Sequence, residues 1–304
     1  MVLWFEVEPF STLARNQREA VIEPESRYYT SQRLKLHYAV WGDGSKPPLV
    51  LIHGGRDHAR NWDAVADALA DRYTLYAADL RGHGDSAWAI GSQYSMPEFT
   101  LDIETLVEEI GAPVELIGHS LGGAIALQYA GTCPDKVTKV VAVEGWGPRV
   151  IERRPAQLRM REWIAHSHQL EQRQPRRYPD IDSAVKRMEE ENPHLSHEMA
   201  RHLTVHGANQ NEDGTYTWKF DNFVRIHSPY EFNIEDARAI WNQIRCPVLL
   251  VRGTESWASD PEEDGRASAF HDSQVVTVPD AGHWVHHDKL AEFIAVTRRF
   301  LLGE

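Results

Sequence analysis

Short apolar runs, each set off from the next by a segment of helical spacing, constrain this chain more than any other feature. Residues 47–53 (PPLVLIH), 73–78, 114–117, 137–143, 247–251 and 274–278 read as strands. The run 47–53 is apolar without alternation, the pattern of a strand covered on both faces, as in parallel sheets. Between the runs, residues 61–72 place Trp62, Val65, Leu69 and Tyr73 on one helical face. Residues 97–110 and 122–131 also read as helices, and 285–302 as one long C-terminal helix. Ahead of them, 27–41 reads as a strand pair in which Leu34, Leu36, Tyr38 and Val40 alternate with more polar neighbours. Such alternation predicts an α/β fold with a mostly parallel, doubly covered sheet.

The alternation is interrupted from 148 to 245, a charge-rich stretch with helical segments at 155–169 and 183–191. Inserted between two buried strands, it reads as a helical cap over the carboxyl end of the sheet, where ligands of open α/β sheets bind. The expected division is an N-terminal extension at 1–25 with no assigned role, a core at 26–147 and 246–304, and a cap at 148–245.

Charge and composition narrow the partners. With 32 Lys and Arg against 45 Asp and Glu the net charge is −13, which argues against nucleic acid or an anionic membrane surface. No apolar run approaches the roughly 20 residues of a membrane helix, and the start of the chain lacks a basic, then apolar, leader. A soluble, cytoplasmic protein without membrane insertion is expected. Cys133 and Cys246 form no C-x-x-C pair and are expected to be two free, buried thiols.

Chemistry concentrates at Gly118-His119-Ser120-Leu121-Gly122, a G-x-S-x-G pattern. The pattern alone is common. Its position directly after the strand VELI and before the helix GGAIALQYA is the context that gives it meaning. A sharp strand-to-helix turn strains the central residue, which only very small neighbours permit, and presents the serine hydroxyl to a helix N-terminus. The alternative is a plain turn in which Ser120 caps the helix.

Together with HGG at 53–55 and AGHW at 281–284, GHSLGG at 118–123 resembles the α/β-hydrolase superfamily, in order and interval, from about residue 28 to the C-terminus. EGWGP (144–148) and DGTYTWKFD (213–221) are similar to its serine hydrolase-like, or kraken-like, branch. The resemblance implies Ser120 as nucleophile and His283, after the last strand, as general base. It also implies an oxyanion hole from the backbone N–H groups of Leu121 and Gly55. His286 and His287 read as surface or supporting residues.

The acid departs from the family pattern. Its usual place, three residues beyond the glycine of VRGTES, holds Ser256. Some superfamily members carry the acid after the strand that follows the nucleophile helix, and that place is Glu144. A carboxylate ending a buried run is expensive without a partner, and His283 would be that partner. Glu144 is the favoured acid, with Asp260 and Glu255 as alternatives.

Other signals carry less. His197 and His202 are spaced five apart rather than as in H-E-x-x-H, so they would point about 140° apart on a helix and cannot share a metal. The cap histidines 194, 197, 202 and 206 read as a solvated face, Arg153-Arg154 and Arg176-Arg177 as surface pairs. Trp146, Trp163 and Trp218 read as pocket lining or core. The function expected is a serine hydrolase of small-molecule esters or lactones, without metal or cofactor. C–C bond hydrolysis, another cofactor-free hydrolase or lyase reaction, or a hydrolase-derived ligand receptor would use the same residues. Epoxide hydrolase and dehalogenase chemistry, with its carboxylate nucleophile, does not fit a serine.

Overall fold

The computed structural model describes residues 23–91, 94–148, 150, 154–226, 228–230 and 232–304. Of the expected extension 1–25, all but its last three residues lie outside the described residues, as does Arg153.

The first strands are β1 (Glu25–Ser31) and β2 (Leu34–Trp41), closed by a two-residue turn in which Gln32 and Arg33 both have positive φ, at 46° and 68°. That conformation matches the right-handed twist of a tight hairpin. There follow β3 (Pro48–Ile52), α1 (Asp63–Leu69), β4 (Thr74–Ala78), α2 (Met96–Ile110), β5 (Val114–His119), α3 (Leu121–Thr132) and β6 (Val137–Val143). Next come α4 (Ala156–Glu171), α5 (Ile181–Glu191), α6 (His197–Gly207), the small hairpin β7 (Ala208–Gln210) and β8 (Tyr216–Trp218), and α7 (Ile234–Trp241). The chain then returns through β9 (Val248–Gly253), β10 (Ser273–Val278), α8 (Val285–Asp288) and α9 (Leu290–Leu302).

The main sheet has the order β1-β2-β4-β3-β5-β6-β9-β10, antiparallel only where β2 meets β1 and β4. Winding runs outward from β3 to β4, then reverses across β3 to β5, β6, β9 and β10. The carboxyl ends of β3 and β5 therefore meet where the winding changes direction, the place at which open α/β sheets form a crevice. His53-Gly54-Gly55 follows one of these ends and Ser120 the other.

Each face of the sheet has its own core, because alternate strand residues point to opposite faces. Val50, Ile52, Leu116 and Val140 pack with Ile103 and Leu106 of α2, Ile125 of α3 and Trp241 of α7. Leu49, Leu51, Ile117 and Val141 pack with Trp62, Leu69 of α1 and Phe293 of α9. The expected mostly parallel, doubly covered sheet is the observed one.

Two expectations need correction. The C-terminal helix is two helices, broken at Lys289 (φ −137°, ψ 57°). The short α8 is tied back when the Asp288 carboxylate accepts the Gly282 N–H at 2.9 Å, and α9 leaves in a new direction to lie on α1, where Arg298 reaches Ala68 O at 3.0 Å. The first helical segment is shorter than 61–72: Ala59–Trp62 is a tight 3-10 turn and α1 ends at Leu69. Between β6 and β9, the β7–β8 hairpin, α6 and α7 join the two expected helices. Among the described residues no helix is long and apolar enough to cross a membrane.

The turn-rich loop after β4 is braced by buried charge. Arg81 donates to both Asp102 carboxylate oxygens, at 2.6 and 2.7 Å, and the two side chains are 1% and 0% exposed. Removing one partner leaves the other charge buried and alone. Arg81→Met is expected to lower unfolding stability by about 3–5 kcal/mol in urea titration, and Arg81→Met with Asp102→Leu to recover much of that loss. A single variant as stable as the parent would contradict this account.

Candidate active site

Ser120 is the residue between β5 and α3, with φ 51° and ψ −115°, a conformation that costs a non-glycine residue strain. Its N–H donates to Val143 O at 2.8 Å, tying the turn to the end of β6. The neighbouring glycines are steric necessities. A Cβ on Gly118 would run into the Gly122 carbonyl, one on Gly122 into that of Ile52, and one on Gly145 into that of Ser120. The serine, half-buried, stands at the N-terminus of the twelve-residue α3, whose dipole favours negative charge there.

Glu144, directly after β6, is the second residue in a positive-φ conformation at this edge, with φ 55°. Its side chain has no solvent exposure. One carboxylate oxygen accepts the Gly253 N–H at 2.5 Å. The other accepts the Ser256 hydroxyl and lies 3.4 Å from His283 Nδ1. Sheet pairing sets this up: β6 and β9 are neighbours, and the Glu144 N–H donates to Val251 O at 2.9 Å. Asp260 is instead paired with Arg252 at 2.8 Å, and Glu255 lies 3.6 Å from His194. The structure thus brings His283 to Glu144 and to neither alternative.

His283 is held from two further sides. His119 Nε2–H donates to the His283 carbonyl at 2.9 Å, and the Trp257 ring lies over the imidazole with centroids 4.6 Å apart. Trp257 is itself largely exposed, so it forms an outer wall. Ser256, Gly253, His119 and Trp257 were not singled out as parts of the site by sequence reasoning. Only Ser256 had a signal, since it occupies the position where the family pattern puts an acid.

The HGG loop adjoins the serine. A Cβ on Gly54 would stand 2.9 Å from His119 Nδ1 and 3.3 Å from Ser120 Cβ, and one on Gly55 would touch the Leu121 side chain at 3.9 Å. His53 Nε2 accepts the Leu80 N–H at 3.0 Å, so its proton sits on Nδ1, which donates to Gly54 O at 2.6 Å. In a trans peptide the Gly54 C=O and the Gly55 N–H point in opposite directions. Holding the carbonyl therefore aims the Gly55 N–H away from His53.

Several expectations for supporting residues change. His286 is fully buried, stacked on Trp62 at 4.7 Å and bonded to Asn61 Oδ1 at 2.8 Å, so of its two expected places, surface or supporting, it does not take the surface. Both ring nitrogens of His287 are buried too. His202 and His206 are half-buried rather than solvated. Trp146 is core, while Trp163 and Trp218 line two different cavities. The larger, about 310 Å³, opens beside α4 among Tyr94, Trp163, Ile164, Phe223 and Ile226. Cys133 and Cys246 are free, but only Cys246 is buried. Among the described residues two groups have metal-ligating donors close together: Asp63, His202 and His206, and His37, Asp79 and Asp85. Neither contains Ser120, Glu144 or His283.

Burial disfavours the charged form of six imidazoles. Burial pushes His53 and His287 down to about 3 and His83 to about 4, and lowers His58, His119 and His286 as well. Unfolded histidines titrate near 6.5. The stability these groups contribute is full above that pH and is lost as pH falls toward the folded values, because unfolding then takes up protons. Asp57, pushed up to about 8 by burial, and His202, raised by its contact with Asp63, act oppositely but are outnumbered. Urea midpoints are expected to fall from pH 7.5 to pH 5, with a slope corresponding to net uptake of roughly three protons on unfolding. A flat profile would show that these rings are not held neutral.

The profile of the α/β hydrolase family matches residues 49–296. The chain is 26% identical to an esterase of Mycobacterium tuberculosis over 299 residues, 97% of this chain and 96% of the relative. It is 25% identical to a serine hydrolase-like protein of Danio rerio over 223 residues, 71% of this chain and 68% of that one. This is the branch to which the runs at 144–148 and 213–221 pointed. Among solved structures, a hypothetical protein of Pseudomonas aeruginosa PAO1 matches with a TM-score of 0.81 and 26% identity, over 91% of this chain and 98% of the other. Sheet order, the strained serine turn and the family profile agree, and the chain belongs to the α/β-hydrolase family.

Proposed function

We propose that this protein hydrolyses small-molecule carboxylic esters or lactones through an acyl-enzyme on Ser120. The Ser120 hydroxyl attacks the substrate carbonyl while His283 takes its proton, and Glu144 orients the imidazole and stabilises its charged form. The oxyanion is held by the N–H groups of Gly55 and Leu121. His283 returns the proton to the leaving alcohol, and a water molecule, activated by the same imidazole, releases the acid and restores the serine. The sequence of steps calls for no metal or cofactor. Residues 148–245 act as the cap over the cleft.

The observation that carries this reading is the buried carboxylate of Glu144, 3.4 Å from His283 Nδ1 and held by a backbone N–H and a hydroxyl. A distance of 3.4 Å is long for a working hydrogen bond, but such contacts tighten when substrate binds. The activity of the mycobacterial relative, named an esterase and aligned along nearly the whole chain, supports the same substrate class.

The first test is steady-state hydrolysis of a short-chain p-nitrophenyl ester. Ser120→Ala is expected to abolish turnover and Glu144→Gln to lower kcat by about 10⁴-fold, while Asp260→Asn stays close to the parent. Near-parental activity in Glu144→Gln with collapse in Asp260→Asn would move the acid to the later loop.

His53 acts as a positioning residue for the oxyanion loop. His53→Phe keeps an aromatic ring but frees the Gly54 carbonyl. It is expected to lower kcat about 10- to 100-fold with KM nearly unchanged. A change confined to KM would instead assign His53 to substrate binding.

A further inference from the structure

Two histidines of α6 have a spacing that lets both face one point, beside an aspartate of α1. His197 and His202 cannot share an ion, and His197 is paired with Glu189 at 2.7 Å. His202 and His206 are four residues apart on α6, about 40° around the helix, and their rings lie 4.8 Å apart. Asp63, the first residue of α1, faces them with a carboxylate oxygen 3.3 Å from His202 Nε2. All three residues offer donor atoms within 4.8 Å of one another.

We propose that Asp63, His202 and His206 bind one divalent transition-metal ion of zinc's class, at the seam where α6 meets the start of α1. A tetrahedral ion with bonds of about 2.0–2.1 Å holds its ligand atoms roughly 3.4 Å apart, close to the Asp63–His202 separation. Two imidazoles and a carboxylate are ligands that zinc accepts, leaving one position for water.

The surroundings supply what a metal-bound carboxylate needs behind it. Arg60 pairs with the Asp63 carboxylate, its Nε 2.9 Å from both oxygens and an Nη 2.7 Å from Oδ2, and Glu23 holds Arg60 at 2.9 Å. Outer hydrogen bonds of this kind fix ligand orientation. Asp63 and Glu23 together outweigh the Arg60 charge. Among the described residues His206 has no hydrogen-bond partner, so its coordination breaks nothing. His202 gives up one bond, to Arg60 O at 3.1 Å. The other group with close donors differs here: the Asp79 oxygens are taken by Ala59 N–H, Asp85 N–H and His37. That group is a loop brace, its carboxylate held by two backbone N–H groups and an imidazole.

Asp63 comes from the core, and α6 from the segment between β6 and β9. A bound ion therefore clips that segment to the sheet, next to the existing bond from His58 Nε2–H to Leu203 O at 2.9 Å. None of the three ligands takes part in the proposed hydrolysis, so the site stands apart from that reading.

The test is a Zn²⁺ titration of the full chain after chelator treatment, by calorimetry, alongside thermal unfolding with and without the ion. The parent is expected to bind one equivalent more than His206→Asn or His202→Gln, and to gain thermal stability that both variants lack. His197→Asn, on the same helix, is expected to behave as the parent. Retention of the equivalent by either folded ligand variant, or its loss in His197→Asn, overturns the site. Two ligand variants are measured so that a folding defect in one leaves the other decisive.

Discussion

The end of β6 holds a carboxylate with no solvent contact, and the site is arranged around the cost of keeping it there. Burying a charge of this kind costs several kcal/mol unless hydrogen bonds and a counter-charge replace water. Glu144 receives the Gly253 N–H on one oxygen, and the Ser256 hydroxyl and Nδ1 of His283 on the other. It does so from a positive-φ backbone, an unfavourable conformation for a residue with a long side chain. Strain and burial at one residue are tolerated when the surroundings over-determine it. Here the surroundings are the paired ends of β6 and β9, the Ser120 turn against Gly145, and the loop that carries His283.

Neutral imidazoles do most of the remaining positioning. His53 accepts from one backbone N–H and donates to one carbonyl, which defines its tautomer and turns a peptide plane in the HGG loop. His119 donates to the backbone of His283 from within the serine turn itself. A lysine or arginine could donate such bonds but could not accept one, and its charge would repel the imidazolium that the proposed mechanism forms. An uncharged imidazole has both a donor and an acceptor. Burial holds it in that state, and the protein therefore carries a stability that depends on pH.

Sequence made the sheet legible because its signals are local. The run 47–53 and the segment 137–143 are strands whose composition needs no knowledge of their neighbours. Gly118 and Gly122 betray their turn because no other residue fits it. That Ser120, His283 and Glu144 follow neighbouring strand ends could be read from their position relative to those strands. What was missed depends on contacts between distant segments. The break at Lys289 has no proline or glycine to mark it, and comes from docking α8 below the His283 loop and α9 on α1. His286, at the start of a helix, read as a surface or supporting residue, yet Trp62 and Asn61 enclose it. His202 and His206 looked solvated until α6 was seen against Arg60 and Asp63.

The place of the Glu144 carboxylate follows from sheet geometry. β6 and β9 are adjacent and parallel, so their carboxyl ends open on the same small volume, and a side chain from either can reach an imidazole carried in by the loop after β10. The family pattern places the carboxylate after β9. Here that place holds Ser256, and its hydroxyl turns inward to the carboxylate that β6 supplies. The exchange keeps a hydrogen-bonded pair across the two strand ends and reverses which strand contributes the charge. A serine at 256 therefore fits the proposed Glu144 assignment better than an apolar residue would, because the second oxygen of a buried carboxylate needs a donor that His283 alone does not supply.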